Sequence, residues 1–143
     1  MDISKTNKRI DSMEAFYVEE SAETPGIILD PKNNKFKIWG RSFPEDAKVF
    51  YDPILNWFEE YVENPNDETI LQFNFDYYNS ASSTRILNIL NILEKINSPG
   101  KSVKVEWNYL EIDDDTLEAG KELEEMVDID FSFIPYQDSE EEE

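Results

Sequence analysis

The stretch ETILQFNFDYYNSASSTRILNILNILEKIN, residues 68–97, joins a strand pattern to a helix pattern and decides the fold. Aromatic and mostly polar residues alternate in its first half, which predicts a strand with one solvent-facing side. The two alternating sets are Phe73, Phe75 and Tyr77, and Asn74, Asp76 and Tyr78. In its second half, apolar residues recur at the spacing of one helix face, which predicts an amphipathic helix that ends before SPG. These residues are Ile86, Ile89, Leu90, Leu93 and Ile96.

The residues upstream predict a hairpin and a first helix. Residues 27–30 and 35–40 are typical of two short strands, and the turn PKNN joins them. The segment SFPEDAKVFYDPILNWFEEYVENPND, residues 42–67, then repeats apolar residues at helical spacing from Phe50 onward. We expect a capping box from Ser42 to Glu45 to open this helix, and we expect Pro53 to kink or restart it.

The residues downstream repeat the same order of elements. KSVKVEWNYLE, residues 101–111, predicts a strand, DDDTLEAGKELEEMV, residues 113–127, predicts an acidic helix, and residues 129–134 predict a last strand. Helical crossovers between successive strands favour parallel pairing. Because the strands keep one polar face, the helices are expected mainly on the other face. The predicted fold class is therefore α/β, with a mixed sheet of about five strands.

The composition predicts one domain with short flanking segments. A chain of 143 residues with 39% hydrophobic residues can bury a single core, which we place in residues 13–136. Residues 1–12 are expected to form a flexible extension and residues 137–143 a disordered acidic tail. Neither end has the apolar run of a membrane span or a secretory signal, so we expect a soluble, cytoplasmic protein without membrane insertion.

The charge and the missing residue types exclude several functions. A net charge of −20 argues against binding to nucleic acid, which needs clustered Lys and Arg. The chain has no cysteine and no histidine, so thiolate chemistry and a typical zinc site are excluded, and a serine nucleophile has no histidine base. The Gly-rich motifs that bind nucleotide phosphates are also absent, and no cofactor is expected.

An acidic cluster at Asp113, Asp114 and Asp115 is the first candidate site, because carboxylates are ligands for divalent cations. However, acidic residues at the start of a helix commonly complement the positive end of the helix dipole. No EF-hand spacing follows the cluster. The capping interpretation is therefore preferred.

The hydroxyl residues at the junction of residues 79–84 are the second candidate site. Ser80, Ser82, Ser83 and Thr84 lie where the predicted strand ends and the helix begins. Backbone N–H groups without helical partners and the helix dipole favour negative charge at such a position, so a phosphorylated side chain would be stabilised there. The plainer interpretation is that one hydroxyl is an ordinary N-cap and the others fill the loop. Both interpretations stay open from the residues alone.

Three long segments resemble the SiaC family of bacterial regulatory phosphoproteins. They are GRSFPEDAKVFYDPILNWFEEYVENP, FNFDYYNSASSTRILNILNILEKI and VKVEWNYLEIDDDTLEAGKELEEMVDIDFSFI, and the resemblance spans about residues 13–134. It implies a fold similar to STAS (anti-anti-sigma factor) domains and a non-enzymatic switch. It further implies a SiaB-like protein kinase and a SiaA-like PP2C-type phosphatase as partners, and a SiaD-like diguanylate cyclase, or another effector, that the unphosphorylated form activates.

The resemblance also implies a phosphorylation site. The phosphoacceptor of the family is typically the Thr of an Asn-Thr-x-Ser-Ser pattern, and the corresponding residues here are Asn79-Ser80-Ala81-Ser82-Ser83. Ser80 is therefore the expected phosphoacceptor, with serine in place of threonine. We expect neighbouring side chains to support the phosphorylated loop and to contact the partner. Tyr78, on the strand face opposite Phe73, could anchor that contact, or it could instead pack against a neighbour on the adjacent strand. These neighbours are Tyr78, Asn79, Ser82, Ser83 and Thr84.

Two other functions remain as alternatives at this point. The first is a small acidic enzyme or a divalent-cation-binding domain that uses carboxylates, and it requires two acids close together in a cleft. The second is an acidic mimic of nucleic acid that binds a basic protein, and it requires the charge to be arranged on one face.

Overall fold

The computed structural model describes residues 13–96 and 98–138. The predicted extension at residues 1–12 lies outside the described residues, as do residues 139–143 of the predicted acidic tail. The strands are β1 Phe16–Val18, β2 Gly26–Asp30, β3 Lys35–Ser42, β4 Glu68–Tyr78, β5 Ser102–Leu110 and β6 Asp130–Tyr136. The helices are α1 Ala47–Tyr61, α2 Ser80–Leu93 and α3 Asp114–Met126, with a 3₁₀ turn at Glu94–Ile96.

The strands of the described residues form one mixed sheet in the order β1-β2-β3-β4-β5-β6. The pairs β1/β2 and β2/β3 are antiparallel, whereas β3/β4, β4/β5 and β5/β6 are parallel and each is connected through a helix. The predicted hairpin, the element order and the α/β class are therefore confirmed. The sequence analysis missed β1, because three residues are too few to show an alternation.

All three helices of the described chain pack on one face of the sheet, as predicted. The buried side chains of the sheet on this face are Ile27, Leu29, Phe36, Ile38, Leu71, Phe73, Phe75, Val103, Val105 and Trp107. α1 and α2 bury their apolar faces in the same core, and α3 approaches Trp107 so closely that a Cβ on Gly120 would lie 2.5 Å from the indole Nε1. The other face is mostly polar, and Gln72 donates to Glu106 across it at 3.0 Å.

The predicted capping box at the start of α1 is wrong. Ser42 is the last residue of β3 and is fully buried, so it cannot cap α1. Asp46 is the N-cap instead, and its Oδ1 accepts from the Val49 N–H at 3.1 Å. Asp46 is also a preferred N-cap residue, so the local sequence allowed either choice and the longer β3 decided it.

Pro53 lies inside α1, and the helix does not restart there as predicted. Proline removes the N–H that would bond to the carbonyl of Val49. The Val49 side chain is 67% exposed, so this turn of the helix faces solvent and water can bond to the free carbonyl. The helix therefore tolerates the proline.

No helix in the described part of the chain is long and apolar enough to cross a bilayer.

Candidate functional site

The amino end of α2 is capped by an asparagine side chain. Asn79 has extended backbone angles (φ −92°, ψ 177°), and its Oδ1 accepts from the Ser82 N–H at 2.9 Å. The Asn79 carbonyl also accepts from the Ser83 N–H at 2.9 Å. The plainer sequence interpretation assigned the cap to a hydroxyl, and that assignment is wrong. Because the carboxamide of Asn79 caps the helix, the hydroxyl of Ser80 is left out of the capping bonds.

The four hydroxyl residues of this junction differ in exposure. Ser80 is the first residue of α2 and is exposed, as is Thr84, whose hydroxyl donates to the Ser80 carbonyl at 3.4 Å. Ser83 is half-buried. Ser82 is 0% exposed. Only Ser80 and Thr84 therefore present their side chains fully to a modifying enzyme.

Ser82 belongs to a buried network of hydroxyls that connects α2 to β3 and α1. Ser42 Oγ lies 2.6 Å from the Tyr51 hydroxyl and donates to Ser82 Oγ at 2.8 Å. The Ser82 hydroxyl donates in turn to the Ser42 carbonyl at 3.0 Å. This carbonyl also accepts from the Asn79 N–H at 3.1 Å. The strand end, α1 and the first turn of α2 are therefore held together by one cluster.

Burial keeps the tyrosine of this network protonated. Removal from water raises the pKa of Tyr51 to about 12, and its hydrogen bonding with the Ser42 and Ser82 side chains only partly offsets this effect. The phenol is therefore a neutral hydroxyl at physiological pH and can donate a hydrogen bond.

The predicted orientation of Tyr78 is wrong, because the register of β4 shifts by one residue. Gly40 pairs with Phe75 whereas Arg41 pairs with Tyr77, so Asp76 has no partner on β3 and forms a β-bulge. The bulge reverses the alternation beyond Phe75. Tyr78 consequently packs on the core face, with its ring 5.0 Å from Phe75 and 6.3 Å from Trp107.

The exposed aromatic residue at this end of β4 is Tyr77, which the sequence analysis placed on the buried side. Tyr77 is 50% exposed, and its ring meets the edge of Phe43 at 5.8 Å. The guanidinium carbon of Arg41 lies over the Phe43 ring, 5.2 Å from its centroid. Tyr77, Phe43 and Arg41, here called the aromatic patch, lie at the carboxyl ends of β3 and β4, and Tyr77 is three residues before Ser80 in the chain.

The alternation of residues gives no sign of this bulge, but a glycine at the paired position does. Gly40 has φ of +98°, a left-handed conformation that favours glycine, and it lies at the register shift. A Cβ at Gly40 would also lie 2.6 Å from a carboxylate oxygen of Glu20.

The predicted acidic cluster is a helix cap. Asp113 caps α3, and its two carboxylate oxygens accept from the Thr116 N–H at 3.0 Å and the Thr116 hydroxyl at 2.7 Å. Asp114 and Asp115 lie in the first turn of α3, where they complement the helix dipole. In residues 13–96 and 98–138, no group of three or more acidic side chains is arranged to hold a metal ion. The carboxylates that the cation alternative needs are therefore used for capping.

A model of a known protein family matches most of the chain. Residues 18–136 match the model of the SiaC family regulatory phosphoproteins. The chain belongs to the SiaC family. The match includes every element of the sheet beyond the first residues of β1, as well as the whole junction between β4 and α2. Members of the family are regulators, so the protein is a regulatory protein and not an enzyme.

Three proteins or solved structures similar to this chain come from Pseudomonas aeruginosa. An uncharacterized protein of strain UCBPP-PA14 is 24% identical over 120 residues, which cover 84% of this chain and 95% of the relative. The crystal structure of apo-SiaC superposes with a TM-score of 0.75 at 22% identity, covering 85% of this chain and 98% of SiaC. SiaC crystallised in complex with the diguanylate cyclase SiaD, which it activates, superposes with a TM-score of 0.78 at 21% identity. The match covers 85% of this chain and 99% of that SiaC chain.

Proposed function

We propose that this SiaC-family protein is a partner-switching regulator that is reversibly phosphorylated on Ser80. The observation that supports this role most directly is the exposure of the Ser80 hydroxyl at the start of α2, next to a cap that leaves it free. In the unphosphorylated form, the protein binds and activates a diguanylate cyclase. Phosphorylation of Ser80 prevents that contact.

The start of α2 can accept a phosphate. The first turn of the described α2 contains no acidic residue, and the amides of Ser80 and Ala81 have no acceptor within the helix because they begin it. A phosphoserine would add a charge of about −1.5 to −2 and three acceptor oxygens at this position. The modification would therefore add charge without breaking the helix.

The same charge would disrupt a contact with the effector. We place the effector on the exposed surface formed by the first turn of α2 and the aromatic patch, since aromatic and arginine side chains are typical anchors of protein interfaces. A dianion in a water-excluded interface lowers the binding free energy by several kcal/mol unless a positive charge pairs with it. One modification can therefore release the effector without refolding the domain.

We infer the partners from what the family resemblance implies. A SiaB-like kinase would transfer the γ-phosphate of ATP: the Ser80 oxygen forms the new P–O bond, the bond to ADP breaks, and the Ser80 proton leaves to a base of the kinase. A SiaA-like PP2C-type phosphatase would hydrolyse the phosphoserine. SiaC of Pseudomonas aeruginosa is described as the activator of SiaD and forms a complex with it, so a SiaD-like cyclase is the effector that we assign to this chain. Because the kinase needs ATP, we place the protein in the cytoplasm.

Phosphorylation mapping tests this proposal. We expect the full chain, incubated with the kinase and ATP, to gain one phosphate, and peptide mass spectrometry should locate it on Ser80. Ser80→Ala should abolish the phosphate, whereas Thr84→Ala, which changes the other exposed hydroxyl, should leave it unchanged. Phosphate on Thr84 alone, or on no residue of the junction, would overturn the assignment.

Cyclase activation tests the output. Unphosphorylated chain and Ser80→Ala should both stimulate the diguanylate cyclase, and the phosphorylated chain should not. Equal stimulation by both forms would show that Ser80 does not control the effector.

A further inference from the structure

We propose that Tyr51 and Ser42 are positioning residues for the modification of Ser80, a role that rests on the proposed phosphorylation. Neither residue lies in the phosphorylated loop, and both are 0% exposed. They act through Ser82, which is buried two residues after Ser80 and connects the first turn of α2 to the end of β3.

Counting protons gives the direction of the hydrogen-bond chain. Each hydroxyl has one proton to donate. Ser42 Oγ gives its proton to Ser82 Oγ, so the 2.6 Å contact between Ser42 and Tyr51 requires the phenol as donor. Ser82 gives its own proton to the Ser42 carbonyl. The chain therefore runs from Tyr51 through Ser42 to Ser82 and ends on a backbone carbonyl.

This direction has two consequences for the junction. The proton of Ser82 is committed to a carbonyl, so the only buried hydroxyl of the junction is unavailable as a phosphoacceptor. The Ser42 carbonyl also accepts from the Asn79 N–H, so the residues on both sides of Ser80 and Ala81 are fixed to the same atom. The backbone between them is held with the Ser80 side chain outward. We infer that the network both presents Ser80 and withholds Ser82.

The chain offers a matched control at the other end of α1. The Tyr61 hydroxyl lies 2.7 Å from Thr69 Oγ1, and it also accepts from the Asn66 N–H at 3.1 Å. Tyr61 is buried like Tyr51, but its partners lie at the opposite end of the sheet from α2's first turn. Tyr61→Phe therefore removes a comparable hydroxyl without touching the junction.

Amide hydrogen exchange of the full chain tests the local role without any partner. We expect Tyr51→Phe to speed exchange of the Asn79, Ser82 and Ser83 amides by about tenfold, the loss expected for one hydrogen bond. Exchange in β4 and β5 should change equally in Tyr51→Phe and Tyr61→Phe. A uniform acceleration in both variants, or an unchanged junction in Tyr51→Phe, would contradict the proposal. Ser82→Ala, which removes the last hydroxyl of the network, should loosen the same amides.

Kinase assays test the consequence for modification. We expect Tyr51→Phe to raise the KM of the chain as a kinase substrate by about fivefold, because a mobile acceptor loop is bound less often in its reactive geometry. The kcat should stay within about twofold of the wild-type value. Part of the phosphate should move to Ser82. Normal KM with all phosphate on Ser80 would overturn the positioning role alone. If the wild-type chain takes no phosphate on Ser80, the proposed function fails as well.

Discussion

The amino ends of α2 and α3 follow equivalent parallel strands, yet they carry opposite chemistry. α3 begins with three aspartates, one as the cap and two in the first turn. α2 begins with a neutral asparagine cap and hydroxyl residues, and its first turn has no acidic side chain. The first turn of α2 therefore lacks acidic side chains although the chain contains 33 acidic residues.

The difference indicates a division of roles between the two helices. The aspartates of α3 already complement its dipole, so a further negative charge there would gain little and would meet like charges. The start of α2 has the same dipole without that complement. A covalently attached phosphate is therefore accommodated at α2, whereas α3 serves packing through Gly120 and Trp107.

Substitutions at Tyr77 and Tyr78 test which face of β4 packs in the core and which is open to a partner. Tyr78→Ala removes a ring that packs against Phe75 and Trp107, under α3, and should lower the free energy of unfolding by about 3 kcal/mol. Tyr77→Ala should change stability by less than about 0.5 kcal/mol but weaken cyclase binding about tenfold or more, as loss of an interface anchor does. Urea denaturation and titration calorimetry measure the two effects. The reverse pattern would mean that the bulge does not turn Tyr77 outward.

Alkaline pH tests the buried phenol beneath the first turn of α2. Burial raises the pKa of Tyr51 to about 12, above the ordinary value of 10.0 that it takes in the unfolded chain. The contribution of Tyr51 to the free energy of unfolding is therefore fully present below pH 10, and it is lost as the pH rises through 12. By pH 12 this residue should account for a loss of about 2 kcal/mol, since the full effect of about 1.4 kcal/mol per pKa unit is reached only above the folded pKa.

Urea denaturation of the wild type and of Tyr51→Phe between pH 8 and 12 measures this loss. The variant should show a smaller decline, because the other tyrosines titrate in both proteins. Parallel curves would show that the Tyr51 phenol has the same pKa in the folded and the unfolded chain.

The two caps should have similar strength and different salt dependence. Asn79→Ala and Asp113→Ala should each lower the free energy of unfolding by about 1 kcal/mol. Because Asp113 is an acidic residue at the positive end of a dipole and Asn79 is neutral, the cost of Asp113→Ala should shrink with added salt. Thermal unfolding of both variants at low and high salt measures this. An equal salt response would remove the electrostatic contrast between the helices.

Adding a carboxylate to the first turn of α2 and removing one from α3 should change the free energy of unfolding by small amounts of opposite sign. Ala81 is exposed in the first turn of α2, and Ala81→Asp should raise the free energy of unfolding by about 0.3 to 1 kcal/mol through the helix dipole. Asp114→Asn, which removes a charge from the first turn of α3, should lower it by a similar amount. Destabilisation by Ala81→Asp would indicate that the start of α2 repels negative charge.

The sequence predicted most of the fold because local patterns determine it. The alternation in β4 and β5 and the helical spacing in α2 identify elements without any knowledge of their neighbours. The parallel order and the one-sided helices then follow from general rules of connection. Pro53 and the false capping box at Ser42 show the limit of such signals, because tertiary context decided between two acceptable local choices.

The site was less predictable because it depends on distant pairing. Ser42 and Ser82 are 40 residues apart and meet only through the register of β3 and β4. The bulge at Asp76, which exchanges the faces of Tyr77 and Tyr78, also arises from that register. Exposure of Ser80 was expected from its position at a helix start, whereas burial of Ser82 was not.

The most direct test of the account is the affinity of a diguanylate cyclase for the chain with and without phosphate on Ser80. Titration calorimetry of the unphosphorylated chain and of homogeneous Ser80-phosphorylated chain should show binding weakened at least about 100-fold, equivalent to about 2.7 kcal/mol. The phosphorylated chain should keep its fold and its unfolding temperature. Equal affinities of the two forms for a cyclase that the chain binds would contradict the account.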